Sequence, residues 1–176
     1  MMSTTSAELS TIFSSALIAE IEQEAVSACK CLEGILPELL DLKPNEKSMS
    51  FVRLASHVAE MFGWTPSTMH QAVLDFSKMD YTPYEPATTA DLVEYLDKNV
   101  AEALDALRSC DDAAFAENWT MRNGEKVHFT MPKAVVMRSF VMNHIVHHRG
   151  QLSVYLRMND IPVPQIYGPS ADEGEM

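Results

Sequence analysis

The chain has 176 residues, with 25 Asp and Glu against 13 Lys and Arg, a formal net charge of −12 at pH 7 and 47% hydrophobic content. A chain of this length can bury a self-sufficient core, so folding needs neither disulfide staples nor a structural metal, and one domain over residues 1–176 is expected. The acidic balance disfavours nucleic acid and anionic membrane surfaces as partners, because both attract Lys and Arg.

The first predicted element is an amphipathic helix from about residue 6 to about 36, whose apolar positions Leu9, Ile12, Phe13, Leu17, Ile21, Val26, Cys29 and Leu32 recur mostly at three- and four-residue steps. The N-terminal residues carry no basic side chain, and Glu20, Glu22 and Glu24 interrupt the apolar stretch. Neither a signal peptide nor a membrane span is read, and a cytoplasmic location is expected. Pro37, Pro44 and the polar run 45–48 end this helix. Ser48 or Ser50 caps a second helix that reaches about Trp64, before Pro66. After Pro83 and Pro86, Thr88 or Thr89 caps a third helix with the stripe Leu92, Leu96, Val100, Ala103, Leu104 and Leu107, and with Asp91, Glu94, Asp97 and Lys98 on its other face.

Between residues 109 and 130 the pattern changes, and Asn123-Gly124 suits the positive φ angles of a two-residue hairpin turn, so a small exposed hairpin is expected. Thr130 is then expected to cap the last helix, with Pro132 in its first turn and no breaker except Gly150 before about Asn159. Residues 1–5 and 168–176 read as irregular tails, within a Pro-rich C-terminal stretch that begins near Ile161. Four long helices with long connections predict an all-α fold, a four-helix bundle in which some connections cross over and a hairpin is inserted before the last helix.

The last helix contains His144-Ile-Val-His147-His148-Arg149-Gly-Gln151. Residues four apart share a face, so His144 and His148 can chelate one cation. With His144 at zero and roughly 100° per residue, His148, Gln151, Leu152, Tyr155, Met137 and Val141 fall in one inward stripe, while His147 lies near its edge at about −60°. The stripe therefore favours His148 over His147. His57, within the stripe Leu54, His57, Met61 and Trp64, also points inward. Three inward imidazoles each need a partner, either a hydrogen bond within the core or a divalent metal. Glu60 and Gln151 are candidates to orient the imidazoles.

The other polar residues are read as structural. Arg149 and Arg157 point away from the stripe, as surface groups or as partners for the tail. Tyr155 is expected to pack in the core, and Met61, Met137 and Met142 fill the core or shape an apolar pocket. Cys29 and Cys31 form CxC rather than CxxC and, with Cys110, are read as structural thiols in a reducing compartment. His70 and His128 are left outside the site.

The run Asn143-His-Ile-Val-His-His-Arg-Gly-Gln-Leu-Ser-Val-Tyr-Leu-Arg157, with Ile-Pro-Val-Pro164 and Tyr-Gly-Pro-Ser-Ala-Asp-Glu173, resembles the C-terminal signature of the DinB/YfiT-like metalloenzymes. The segment Leu54-Ala-Ser-His-Val-Ala-Glu60 is similar to that family's other hallmark. The resemblance implies a four-helix bundle of unusual connectivity, commonly a homodimer, with a divalent metal held by His57, His144 and His148. Zinc or nickel is favoured and iron is possible. It also implies links to stress response and to thiol-dependent transferases or isomerases, although many relatives have no assigned activity. Three protein ligands leave a coordination position open for a small-molecule substrate, such as a low-molecular-weight thiol, or for water. The leading expectation is a metal-dependent thiol S-transferase with no assigned catalytic side chain. A metal-dependent hydrolase and a noncatalytic metal- or ligand-binding stress protein are the alternatives.

Overall fold

The computed structural model describes residues 11–175. The first helix, α1 (Ile12–Glu33), lacks a side-chain cap of its own. Its first amides instead donate to the Asp112 carboxylate, at 3.0 Å from both Ile12 and Phe13, which satisfies groups that every helix start leaves open. The predicted span before Thr11, including Leu9, lies outside the described residues. The predicted stripe is also partly displaced. Ile12, Phe13 and Val26 are more than half exposed, whereas Ile21, Ala28, Cys31 and Leu32 are buried together with Glu24.

Helix α2 (Phe51–Phe62) is capped by the Ser50 hydroxyl, which accepts from the Arg53 amide at 3.2 Å. Pro66 does not end the helical run. After a joint at Gly63, α3 (Trp64–His70) begins, and Pro66 sits in its first turn, where a missing N–H costs nothing. Gly63 is required by close approach: a Cβ there would stand 2.8 Å from Oδ1 of Asn99 in the third predicted helix. That helix, α4 (Thr89–Arg108), starts as read, with the Thr88 hydroxyl accepting from the Asp91 amide. Leu92, Leu96, Ala103 and Leu107 are buried along it.

The all-α expectation is too narrow. A three-stranded sheet in the order β1 (Val73–Asp75), β2 (Asn118–Asn123), β3 (Lys126–Pro132) flanks the helices. Strand β1 pairs parallel with β2, and β2 antiparallel with β3. The short helix α5 (Asp112–Ala116) precedes β2. The hairpin is therefore part of a sheet with a small core of its own, in which Leu74, Trp119, Met121 and Val136 are buried and Phe76, Phe129, Met131 and Phe140 pack against them. Asn123 pairs with Lys126, so the turn residues are Gly124 and Glu125, and the positive φ (59°) belongs to Gly124, not to an Asn123-Gly124 pair.

Thr130 lies in β3 and pairs its hydroxyl with that of Thr120 at 2.9 Å, so it caps nothing. Pro132 ends the strand, and α6 (Lys133–Val136) follows without a side-chain cap. A π-helical stretch over Met137–Met142 then leads into α7 (Asn143–Met158), so the last helix runs on without a break but is locally wound more widely, a change that no proline or glycine announces. The main core lies where α1 and α2 each pack against both α4 and α7. No helix among the described residues is long and apolar enough to cross a membrane. After Asn159 the chain is irregular but tied down. Ser170 Oγ donates to the Val163 carbonyl, the Val163 amide donates to Asp172, and the Gln165 amide donates to Glu173.

Candidate metal centre

Regular α7 geometry after the π turn puts His144 and His148 one turn apart, facing His57 on α2 across the α2–α7 contact. One ring nitrogen from each of the three lies within 4.8 Å of the others, and together they could hold a metal ion. Nε2 of His57 and Nε2 of His144 stand 3.3 Å apart.

The outer side of each ring is occupied. His57 Nδ1 is 3.3 Å from a Glu60 carboxylate oxygen, His148 Nδ1 is 2.7 Å from Oε1 of Gln151, and the His144 ring is bonded to the Phe140 carbonyl. Burial works to raise the Glu60 carboxyl, but hydrogen bonds from His57 and Tyr81 and the charges of Arg53 and His57 together hold it below the usual range. An ionised carboxylate only accepts, so His57 Nδ1 donates to Glu60. Burial, then the neighbouring His57, lowers the His144 pKa. Burial above all brings His148 to about 4. Both rings are therefore neutral at pH 7.

Nε2 atoms 3.3 Å apart are close enough to share a proton or to hold one cation between them. Ligands about 2.0–2.1 Å from one tetrahedral cation stand about 3.3–3.4 Å apart, which the His57–His144 spacing matches, and the third ligand atom lies within 4.8 Å of both. Glu60 and Gln151 are where partners that fix imidazole orientation are found in metal sites.

Beside His57 and His144 opens a cleft of about 460 Å³. Its wall is largely apolar, with Trp64 from α3, Leu74 from β1, Phe76 from the turn after it, and Tyr95 from α4. Arg53 and Glu60 also line it, 3.5 Å apart, and Arg53 donates to the Tyr81 hydroxyl at 3.1 Å. Burial, then the hydrogen bond to Glu60, pushes the Tyr81 phenol up to about 12.

Of these wall residues the helix repeat points to Trp64 and Glu60 but not to Arg53, Leu74, Phe76, Tyr81 or Tyr95, although part of the signal is available. Arg53, His57, Glu60 and Trp64 follow steps of four, three and four on one helical face. Leu74 and Phe76 carried no such signal, because their position depends on β1 pairing with a strand far along the chain.

The remaining polar residues fall outside the cluster. His147 is exposed, His70 bonds Ser109 at 3.0 Å, and His128 is exposed on β3. Tyr155 stacks edge-on against Phe51 and bonds the Met49 carbonyl. Met61, Met137 and Met142 are fully buried in the core and do not line the cleft, where Met79 appears instead. Cys31 is buried and its thiol is pushed up to about 11 by that burial; the half-buried Cys29 is also raised, by burial and then by Glu33, so neither is an activated nucleophile. Arg157 pairs with Asp172 of the tail as read. Arg149 also reaches the tail, at Tyr167, but it is buried rather than superficial because Glu24 is buried beside it.

Known proteins are similar to this chain in sequence and in fold. Over 86% of both chains, the sequence is 26% identical to YrdA of Bacillus subtilis (strain 168), a protein described as uncharacterized. The fold is similar to that of a DinB-like protein, YjoA, from Bacillus subtilis, with a TM-score of 0.65 and 17% identity over 84% of this chain and 95% of that one. A DinB-like protein from Bacillus cereus ATCC 10987 is similar with a TM-score of 0.61 and 19% identity over 83% of this chain and 92% of that one. The model of the DinB family matches residues 2–175.

Proposed function

The chain belongs to the DinB family, and from that premise and the three converging imidazoles we propose that it is a divalent-metal-dependent enzyme, a thiol S-transferase acting on an electrophilic small molecule. The observation that carries the metal reading is the 3.3 Å approach of the His57 and His144 Nε2 atoms with the other side of each ring engaged. His57, His144 and His148 would hold a divalent cation, which would supply Lewis-acid stabilisation of a thiolate at neutral pH.

The chain's own residues do the rest. Burial keeps His144 and His148 neutral and able to donate lone pairs. Glu60 and Gln151 hold the rings of His57 and His148 in the tautomer that turns Nε2 inward. Neutral imidazoles would leave the charge of such a cation uncompensated, which would favour an anionic thiolate over a neutral ligand. The apolar cleft next to His57 and His144 gives the second substrate an apolar surface to pack on beside the thiolate.

The test is elemental analysis of untagged protein, wild type beside His148→Ala, followed by turnover assays with added thiols. About one metal per chain, lost in the variant, with turnover that needs both metal and thiol, is the expected result. Metal without thiol-dependent turnover would reduce the protein to a metal binder. No metal after reconstitution with zinc, nickel and iron would overturn the proposal.

A further inference from the structure

The cleft beside His57 and His144 has a composition that selects its ligand. Trp64, Leu74, Phe76, Met79 and Tyr95 form an apolar and aromatic wall. The charges in it are already matched to one another. Arg53 lies 3.5 Å from Glu60, donates to the Tyr81 hydroxyl at 3.1 Å and to Ser56 Oγ at 3.3 Å, and the Tyr81 hydroxyl is bonded to Glu60. Asn99 spends its amide N–H on the Ala59 carbonyl at 3.1 Å. The wall still offers neutral polar atoms, the Ser67 hydroxyl and the His57 and His144 ring nitrogens, but no unmatched charge, so a charged group entering it would lose water without gaining a countercharge. A volume of about 460 Å³ lies at the smaller end of the range for sites that bury a whole small molecule.

We propose that this cleft is a subsite for an uncharged aromatic or compact apolar body of one or two rings, so that the electrophilic substrate is a neutral hydrophobic molecule and not a carboxylate, phosphate or amine. The inference rests on the reading of the cleft as the substrate chamber, but its test is independent of the metal.

Chelator-treated protein, verified metal-free and folded, is titrated calorimetrically at pH 8 with three probes of one shape: 2-naphthol, 2-naphthoate and 2-naphthylmethylammonium. The expected order is 2-naphthol tighter than either charged probe by on the order of tenfold or more, the size set by an unpaired charge in an apolar site. Phe76→Ala should weaken 2-naphthol by about tenfold, which places the probe in this cleft. Glu60→Gln leaves Arg53 without its carboxylate and should shift the preference toward 2-naphthoate. Arg53→Gln should shift it toward the ammonium probe. Equal or tighter binding of a charged probe by wild type, or 2-naphthol binding indifferent to Phe76→Ala, would overturn the assignment. Because no metal is present, a failed metal reading leaves the probe order intact, and a failed probe order leaves the metal measurement intact.

Discussion

The two faces of α7 handle buried polarity in opposite ways. On one face Arg149 is 1% exposed, yet its charge is closed within the protein: it pairs with Glu24, donates to the Tyr167 hydroxyl at 2.6 Å, and that hydroxyl donates to Glu24 at 2.8 Å. The guanidinium also lies 5.1 Å from the Tyr167 ring centre. On the other face His144 and His148 satisfy their outer nitrogens and turn lone pairs toward His57 and toward one another. A closed network holds the tail to α1 and α7. An open set of donors has capacity left for something outside the chain, and that difference separates a structural cluster from a site.

The contrast is broken most directly at the imidazoles. His57→Ala, His144→Ala and His148→Ala should each take metal content from about one per chain to near zero by elemental analysis, while His147→Ala retains it; equal loss in all four would remove the geometric distinction. On the closed face, Arg149→Met strands the Glu24 carboxylate and should cost about 3–5 kcal/mol in urea unfolding. Replacing both partners, Glu24→Leu with Arg149→Met, should recover most of that loss. A double variant as unstable as the single one would show that the pair contributes more than mutual neutralisation.

Smaller effects sharpen the comparison. Glu60→Gln or Gln151→Ala should weaken metal affinity by about 10–100-fold in competition with a chromogenic chelator, leaving occupancy at saturating metal unchanged. The smallest effect is expected in the sheet. The Ser77 hydroxyl first, then the Gly124 amide, holds Asp75 at about 2. A folded-state pKa below the unfolded value of about 3.9 contributes stability that is complete above that value and lost as pH falls toward 2. Asp75→Asn should therefore flatten the decline in stability between about pH 4 and pH 2, and an unchanged slope would show that Asp75 plays no part in it.

Much of the site was legible because helix periodicity is local. The i, i+4 spacing of His144 and His148 and the apolar stripe around His57 depend only on a repeat of 3.6 residues, and the structure keeps both on their inward faces. Glu60 and Gln151 follow from the same repeat, each three residues from the histidine it bonds. The Ser50 and Thr88 caps are local for a similar reason, since a hydroxyl at a helix start needs only the amide three residues on. Periodicity misled where the partner was distant. Ile12, Phe13 and Val26 fit a helical stripe but stay more than half exposed, and Thr130 looks like a cap until β3 pairs it with Thr120.

By itself, then, the sequence determined the four long helices in outline, the family and the inward direction of the three histidines, because each is written in short-range spacing or in a contiguous motif. Tertiary structure alone decided that β1 joins β2 across more than forty residues, that Leu74 and Phe76 thereby wall the cleft, and that Glu24 and Arg149 neutralise each other inside the core. Those outcomes depend on which distant surfaces meet, and the energies of strand pairing and of burying a charge are set by the partner, which no local pattern specifies.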